Sequence, residues 1–150
     1  ELGLTPWRDP HNTDPRYTRV RLRTEVLPLL EDVLAGGVAP ALARTAAALR
    51  EDNDALDALA AGHLAALRDG EGLTVAGLED LPAALRRRVI RAWLLSVGAT
   101  TLTDVQLRAV DALVADWHGQ GGAAVCSSLR YQRLIVTRRA GLLTVAARPV

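Results

Sequence analysis

Between Ala39 and Arg68 the residues Leu42, Ala46, Leu49, Asn53, Leu56, Ala60, His63 and Leu67 recur at alternating steps of four and three. A period near 3.5 residues held this long specifies one helix laid against a neighbour in coiled-coil fashion, about 40 Å long at roughly 1.5 Å per residue. Two of the seam positions, Asn53 and His63, are polar and read as register-fixing groups or as the edge of the core. The acids Glu51, Asp52, Asp54 and Asp57 suit the solvated outer face of the same helix, because carboxylates facing phosphate would be repelled.

The segments on either side carry their own punctuation. Asp14-Pro15 reads as an N-cap with proline at the first helical position, so a helix is predicted from about Pro15 to Leu34. Pro28 should kink or break it near Leu27, and Gly36-Gly37 should end it. Before it, Gly3, Pro6 and Pro10 leave an extended lead-in anchored by Trp7. Gly70 and Gly72 stop the long helix, and Leu73-Thr74-Val75 reads as an extended connector, with a short strand as the alternative.

Pro82 suits the first turn of a helix through Leu95, turning Leu85, Val89, Ala92 and Trp93 inward before Gly98. Thr103-x-x-Gln106 forms a capping box for a helix with Leu107, Val110, Leu113, Val114 and Trp117 on one side. The last thirty or so residues change character: Ala123–Cys126, Leu134–Thr137 and Leu142–Val145 are β-rich and punctuated by glycine. The expected fold is mostly α, a helical bundle of about four to five helices with a small C-terminal antiparallel β-sheet. Its expected organisation is an extended tail over 1–14, a helical domain over 15–121 and a small β element over 122–150 packed on the helices.

Composition removes several function classes. With 49% hydrophobic and 23% charged residues and a net charge of +1, neither disorder nor a membrane span is indicated. No segment approaches the roughly 20 apolar residues of a spanning helix, and no signal-peptide pattern opens the chain, which therefore reads as cytoplasmic. One cysteine and three histidines show no metal-ligand spacing. Gly119-Gln120-Gly121-Gly122 leaves a helix instead of opening one, so it reads as a helix stop and not a phosphate cradle. Cys126 and Ser127-Ser128 have no histidine close by in sequence to activate a nucleophile, His118 lying beyond intervening glycines. The chain contains no methionine and opens at Glu1, as a piece of a longer protein would.

Arginine supplies all 18 basic residues. On a helix starting at Pro15, Arg16, Arg19 and Arg23 share one face, and three guanidiniums there can converge on a polyanion. The competing reading is structural, with Asp9, Asn12 and Asp14 capping backbone donors and pairing with Arg19 or Arg23. Tyr17 either stacks on a base or packs in the core. Arg86, Arg87, Arg88 and Arg91 form a second cluster, with Arg87 and Arg91 on one face, and are read either as salt-bridged to helix acids or as phosphate contacts. Residues 117–150 hold Arg130, Arg133, Arg138, Arg139 and Arg148 and no acidic residue, so the sheet should be locally basic. Edge protection of the strands is the alternative use.

The run Trp7-x-Asp9-x-x-Asn12, Tyr17-x-Arg19, Arg23 and Leu27-Pro28-x-Leu30 resembles the signature at the end of the catalytic domain of tRNA(Ile)-lysidine synthetases. Val20 departs from it, standing where that family often has asparagine. Leu81-Pro82-x-x-Leu85-Arg86-Arg87-Arg88 and Trp117-His118-Gly119-Gln120-Gly121 extend the resemblance more weakly.

The resemblance implies a parent enzyme that uses ATP and Mg to adenylate the wobble cytidine of a tRNA(Ile) with a CAU anticodon, which lysine then attacks. It implies that the ATP-binding loop Ser-Gly-Gly-x-Asp-Ser lies upstream, in an N-terminal catalytic domain that this chain would contact. This chain would then bind and position tRNA, hold no cofactor of its own, and be inactive alone. Asn12, Arg19 and Arg23 match the motif and are expected at the substrate-facing edge. Arg16, Arg87, Arg91, Arg130, Arg133 and Arg138 are expected to hold the tRNA backbone without reading its sequence. The rival class is a helical dimerisation or docking module that binds no RNA, and a homodimer is allowed under either reading.

Overall fold

The structure is a computed structural model that describes Trp7 and residues 9–149. Two compact units divide it, one up to Glu51 and one from Asp52 onward, with the boundary inside the long helix.

In the first unit Asp9 caps a single 3-10 turn, Pro10–Asn12, and α1 follows over Thr18–Arg21. The helix thus begins three residues after the predicted start. Asp14 does not cap it: its carboxylate accepts the Arg16 amide at 3.0 Å and ties the turn to itself. The disruption expected at Leu27 lies upstream, as a π-turn over Leu22–Val26 that runs into α2, Leu27–Val33. Pro28 has no N–H to give and its ring crowds the preceding turn, so a wider turn there accommodates it without ending the helix. Ala35, Gly36 and Gly37 then take positive φ and reverse the chain. Glu31 caps the next helix, accepting the amides of Ala39 at 2.7 Å and Val38 at 3.1 Å. Trp7 is 80% exposed, and most of the lead-in it is expected to anchor lies outside the described residues.

The long helix α3 runs Val38–Leu67 as one element. Its seam is used unevenly. Leu42 and Leu49 are exposed, whereas Ala60 is buried and Leu64 and Leu67 pack on the core of the second unit. Asn53 is an exposed residue that accepts from Arg88, and His63 is half-buried.

The second unit is a five-stranded antiparallel sheet covered on one face by short helices. β1 (Arg68–Asp69) and β2 (Gly72–Thr74) precede α4 (Val75–Glu79), α5 (Ala83–Ser96) and α6 (Asp104–Ala115). β3 (Ala123–Cys126), β4 (Gln132–Arg139) and β5 (Leu142–Pro149) complete it, in the order β1-β2-β5-β4-β3. Leu73-Thr74 is therefore a strand, paired to Leu143 and Leu142 of β5, and the sheet is not confined to the C-terminal residues. Leu73, Leu78, Val89, Trp93, Leu113, Val136 and Leu143 are sealed between the sheet and helices. The indole of Trp93 donates to the Glu71 carbonyl at 2.9 Å, satisfying its polar end. The Thr103 capping box forms in both directions, with bonds of 3.1 and 3.2 Å. The fold is mostly helical with a small antiparallel sheet, as the sequence periods indicate. Among the described residues no single helix is long and apolar enough to cross a membrane.

Candidate nucleic-acid interface

Three groups of arginines stand out, and the fold treats them differently. In the first unit Asp9 accepts the His11 amide at 2.9 Å and the ring Nδ1 at 2.8 Å. These bonds, the amide first, hold its carboxyl below the usual range. His11 meets Tyr17 edge-on at 5.7 Å, and the Arg19 guanidinium stacks over the other aromatic partner, 4.6 Å from the Tyr17 centroid. Arg19 also donates to the His11 carbonyl at 3.4 Å. Its position is thus set by a ring and a carbonyl, and its charge is not spent on a hydrogen-bonded carboxylate.

Arg16 is held by Asp14 at 2.7 Å, although its side chain is 85% exposed. It precedes α1, so it cannot share a helical face with Arg19 and Arg23 as the predicted start would place it. Arg23 is exposed and pairs with no carboxylate among the described residues. Asn12 is exposed within the 3-10 turn.

On α5 the four arginines divide by burial. Arg86 is inside: it meets Asp111 of α6 at 2.6 Å, both side chains about one-tenth exposed, and donates to the Leu81 carbonyl at 3.0 Å. Arg87 reaches the other oxygen of Asp111 at 3.7 Å, and Arg88 lies 3.5 Å from Asp57 of α3. The acids come from neighbouring helices, since α5 has none of its own. Arg91 is exposed and unpaired among the described residues.

On the sheet, Leu134 and Val136 point into the core, which turns Arg133, Ile135, Thr137 and Arg139 to the opposite face. Arg138 turns inward at the rim. It pairs with Glu79 at 3.0 Å, donates to the Leu113 and Val114 carbonyls at the end of α6, and lies over Trp117. A cation at a helix C-terminus is favourable, so Arg138 is engaged within the fold. Arg133 is different. It stands directly opposite Arg148 on β5, a like-charge pair that costs stability, and neither has a carboxylate partner among the described residues. Beyond them, the β3–β4 turn exposes Arg130 and the 83%-exposed Tyr131, which takes φ +59°.

Sequence reasoning grouped Arg133 with Arg138 and missed the opposition of Arg133 and Arg148. The signal was present in the two-residue turn Ala140-Gly141, both of positive φ, which pairs Arg139 with Leu142 and so fixes every later partner. The burial of Arg86 had no such signal.

Residues 73–140 match the family described as the TilS substrate binding domain. Over its whole length the chain is 62% identical to part of the tRNA(Ile)-lysidine synthase of Mycobacterium tuberculosis, covering 48% of that protein. It is 64% identical to that of Mycolicibacterium paratuberculosis and 63% identical to that of Mycobacterium leprae, covering 47% and 46% of them. The chain spans about half the length of the relatives it matches. It belongs to the tRNA(Ile)-lysidine synthase family, and residues 73–140 are its TilS substrate binding domain.

Proposed function

We propose that this chain is the tRNA-binding and tRNA-positioning portion of a lysidine-forming ligase that acts on the wobble cytidine of tRNA(Ile) with a CAU anticodon. The observation that carries this reading is the unpaired Arg133 and Arg148 side by side on the open sheet face, in a stretch without acids. Two adjacent guanidiniums that repel one another are stabilised when a phosphodiester lies across them. Arg130 beside them would extend that contact, and Arg19, Arg23 and Asn12 form a separate candidate set on the first unit. Such contacts grip the backbone and position the substrate; they do not read bases.

The chemistry would reside in an N-terminal catalytic part of the intact protein. ATP and Mg would be held by that catalytic part and not by this chain. No step is assigned to this chain. The tail over 1–14 would join it to that catalytic part, while the helices and sheet hold the tRNA. The dimerisation reading finds less support, because the distal half of the α3 seam is spent on the chain's own core.

The test is a gel shift with a CAU-anticodon tRNA(Ile) transcript, run with the wild type, Arg133→Ala/Arg148→Ala and Arg19→Ala/Arg23→Ala, beside sedimentation of the protein. A shift weakened by either pair supports the proposal. A concentration-dependent dimer indifferent to RNA would overturn it.

A further inference from the structure

We propose that the groove between α5 and α6, walled by Arg87, Arg88, Arg91, Ala84 and Leu107, is a seat for one phosphate group. On the reading above, that group belongs to the RNA backbone. The groove encloses about 250 Å³. At about 30 Å³ per water molecule that is space for a tetrahedral anion and part of its hydration.

Three arginines line this space, and the partners of Arg87 and Arg88 satisfy them poorly. Asp111 gives its close contact, 2.6 Å, to Arg86 in the interior, leaving Arg87 with a loose one at 3.7 Å. Arg88 is 3.5 Å from Asp57, whose side chain is 68% exposed, and its Nη2 donates to Asn53 at 2.6 Å. The buried atom of Arg88 is the Nε itself, which lies 3.5 Å from Asp57 Oδ1 without forming a hydrogen bond to it. Arg91 pairs with nothing among the described residues. Arg86 to Arg88 and Arg91 set four positive charges against the two of Asp57 and Asp111, so the groove is positive by two.

A buried donor without an acceptor costs free energy, and native folds tolerate few. A phosphate oxygen in the groove is the acceptor that Arg88 lacks. Arg91 and Arg87 would take other oxygens, with Ala84 and Leu107 as apolar walls. The arginines of the sheet lie on a flat surface. The groove is a concave site that takes one group at a time.

The test follows the arginine Nε–Hε resonances of the 150-residue chain by NMR while inorganic phosphate, and separately the tRNA transcript, is added. Phosphate should move Arg88 and Arg91 saturably and leave Arg21, held by Glu25 in the first unit, in place. The transcript should move the same two resonances. Arg91→Gln should lower RNA affinity about tenfold, the scale of one charge-assisted contact. Arg88→Lys, which keeps the charge and removes the Nε donor, should abolish the saturable response.

If phosphate leaves Arg88 unmoved, or shifts every arginine alike, the seat is refuted. A response to phosphate but none to an RNA that binds elsewhere would overturn the assignment to the RNA backbone and leave the proposed function standing. Failure of the chain to bind RNA at all would defeat the proposed function, with the phosphate titration still deciding the seat.

Discussion

Replacing Asp111 by alanine isolates the strongest electrostatic commitment in the fold. The change removes both carboxylate oxygens from Arg86, whose contacts of 2.6 and 3.5 Å are buried, and leaves that guanidinium with the Leu81 carbonyl alone. With side chains only 11% and 10% exposed, little water reaches the orphaned charge. Breaking one half of such a pair costs roughly 3–5 kcal/mol, because the remaining charge stays desolvated. For a unit of about 100 residues, each kcal/mol moves the melting temperature by roughly 4–8 °C, so a fall of at least about 12 °C is expected. Circular dichroism melts and urea titration read it directly. Arg108→Ala is the control: its pair with Asp104 is similarly short at 2.6 Å, but the side chains are 61% and 69% exposed. That loss should be far smaller, because water screens an exposed pair. Arg86→Met/Asp111→Leu, which removes both charges, should recover most of the stability. A loss for Asp111→Ala no larger than for Arg108→Ala would refute the claim that burial, and not bond length, sets the value of these pairs.

Two further outcomes are expected. Arg148→Glu turns the repulsive cross-strand pair with Arg133 into an attractive one; stability should rise by roughly 0.2–1 kcal/mol while tRNA affinity falls, and a loss of stability would contradict the register argument. The Ala39 and Val38 amides hold the Glu31 carboxyl below its ordinary range, so its contribution to the first unit is present above that range and lost as pH falls through it. Far-ultraviolet dichroism of the wild type should show a loss of helix only as the pH falls below the ordinary glutamate value of about 4.3, a loss that Glu31→Gln lacks, and superimposable profiles would dismiss the cap.

Much of the helical part was legible because its signals are local. The Thr103-Gln106 box formed as drawn, and the apolar faces around Val89, Trp93, Val110 and Leu113 are the buried ones. The misreadings came from residues with competing local uses. Asp14 spends its carboxylate on the Arg16 amide and side chain, which delays the helix to Thr18. Leu73-Thr74 lacks length and alternation, and becomes a strand because Arg68-Asp69 pairs on one side and β5, about seventy residues later, on the other. The arginines were visible as a class and not as individuals: composition cannot tell Arg86, sunk against Asp111, from Arg91, open to solvent about one and a half turns further along the same helix. That distinction depends on which face α6 covers. Arg138 and Arg133 separate for a simpler reason, since an odd number of residues puts them on opposite faces of one strand.

The central claim is that unpaired guanidiniums on this chain hold the phosphate backbone of tRNA, and its most direct test is a salt series of tRNA affinity. The logarithm of the association constant should fall linearly with the logarithm of salt concentration, by about 0.7–0.9 per phosphate neutralised, and Arg133→Ala/Arg148→Ala should flatten the slope by roughly two such contacts. An affinity indifferent to salt, or a slope the double substitution leaves unchanged, would contradict the account.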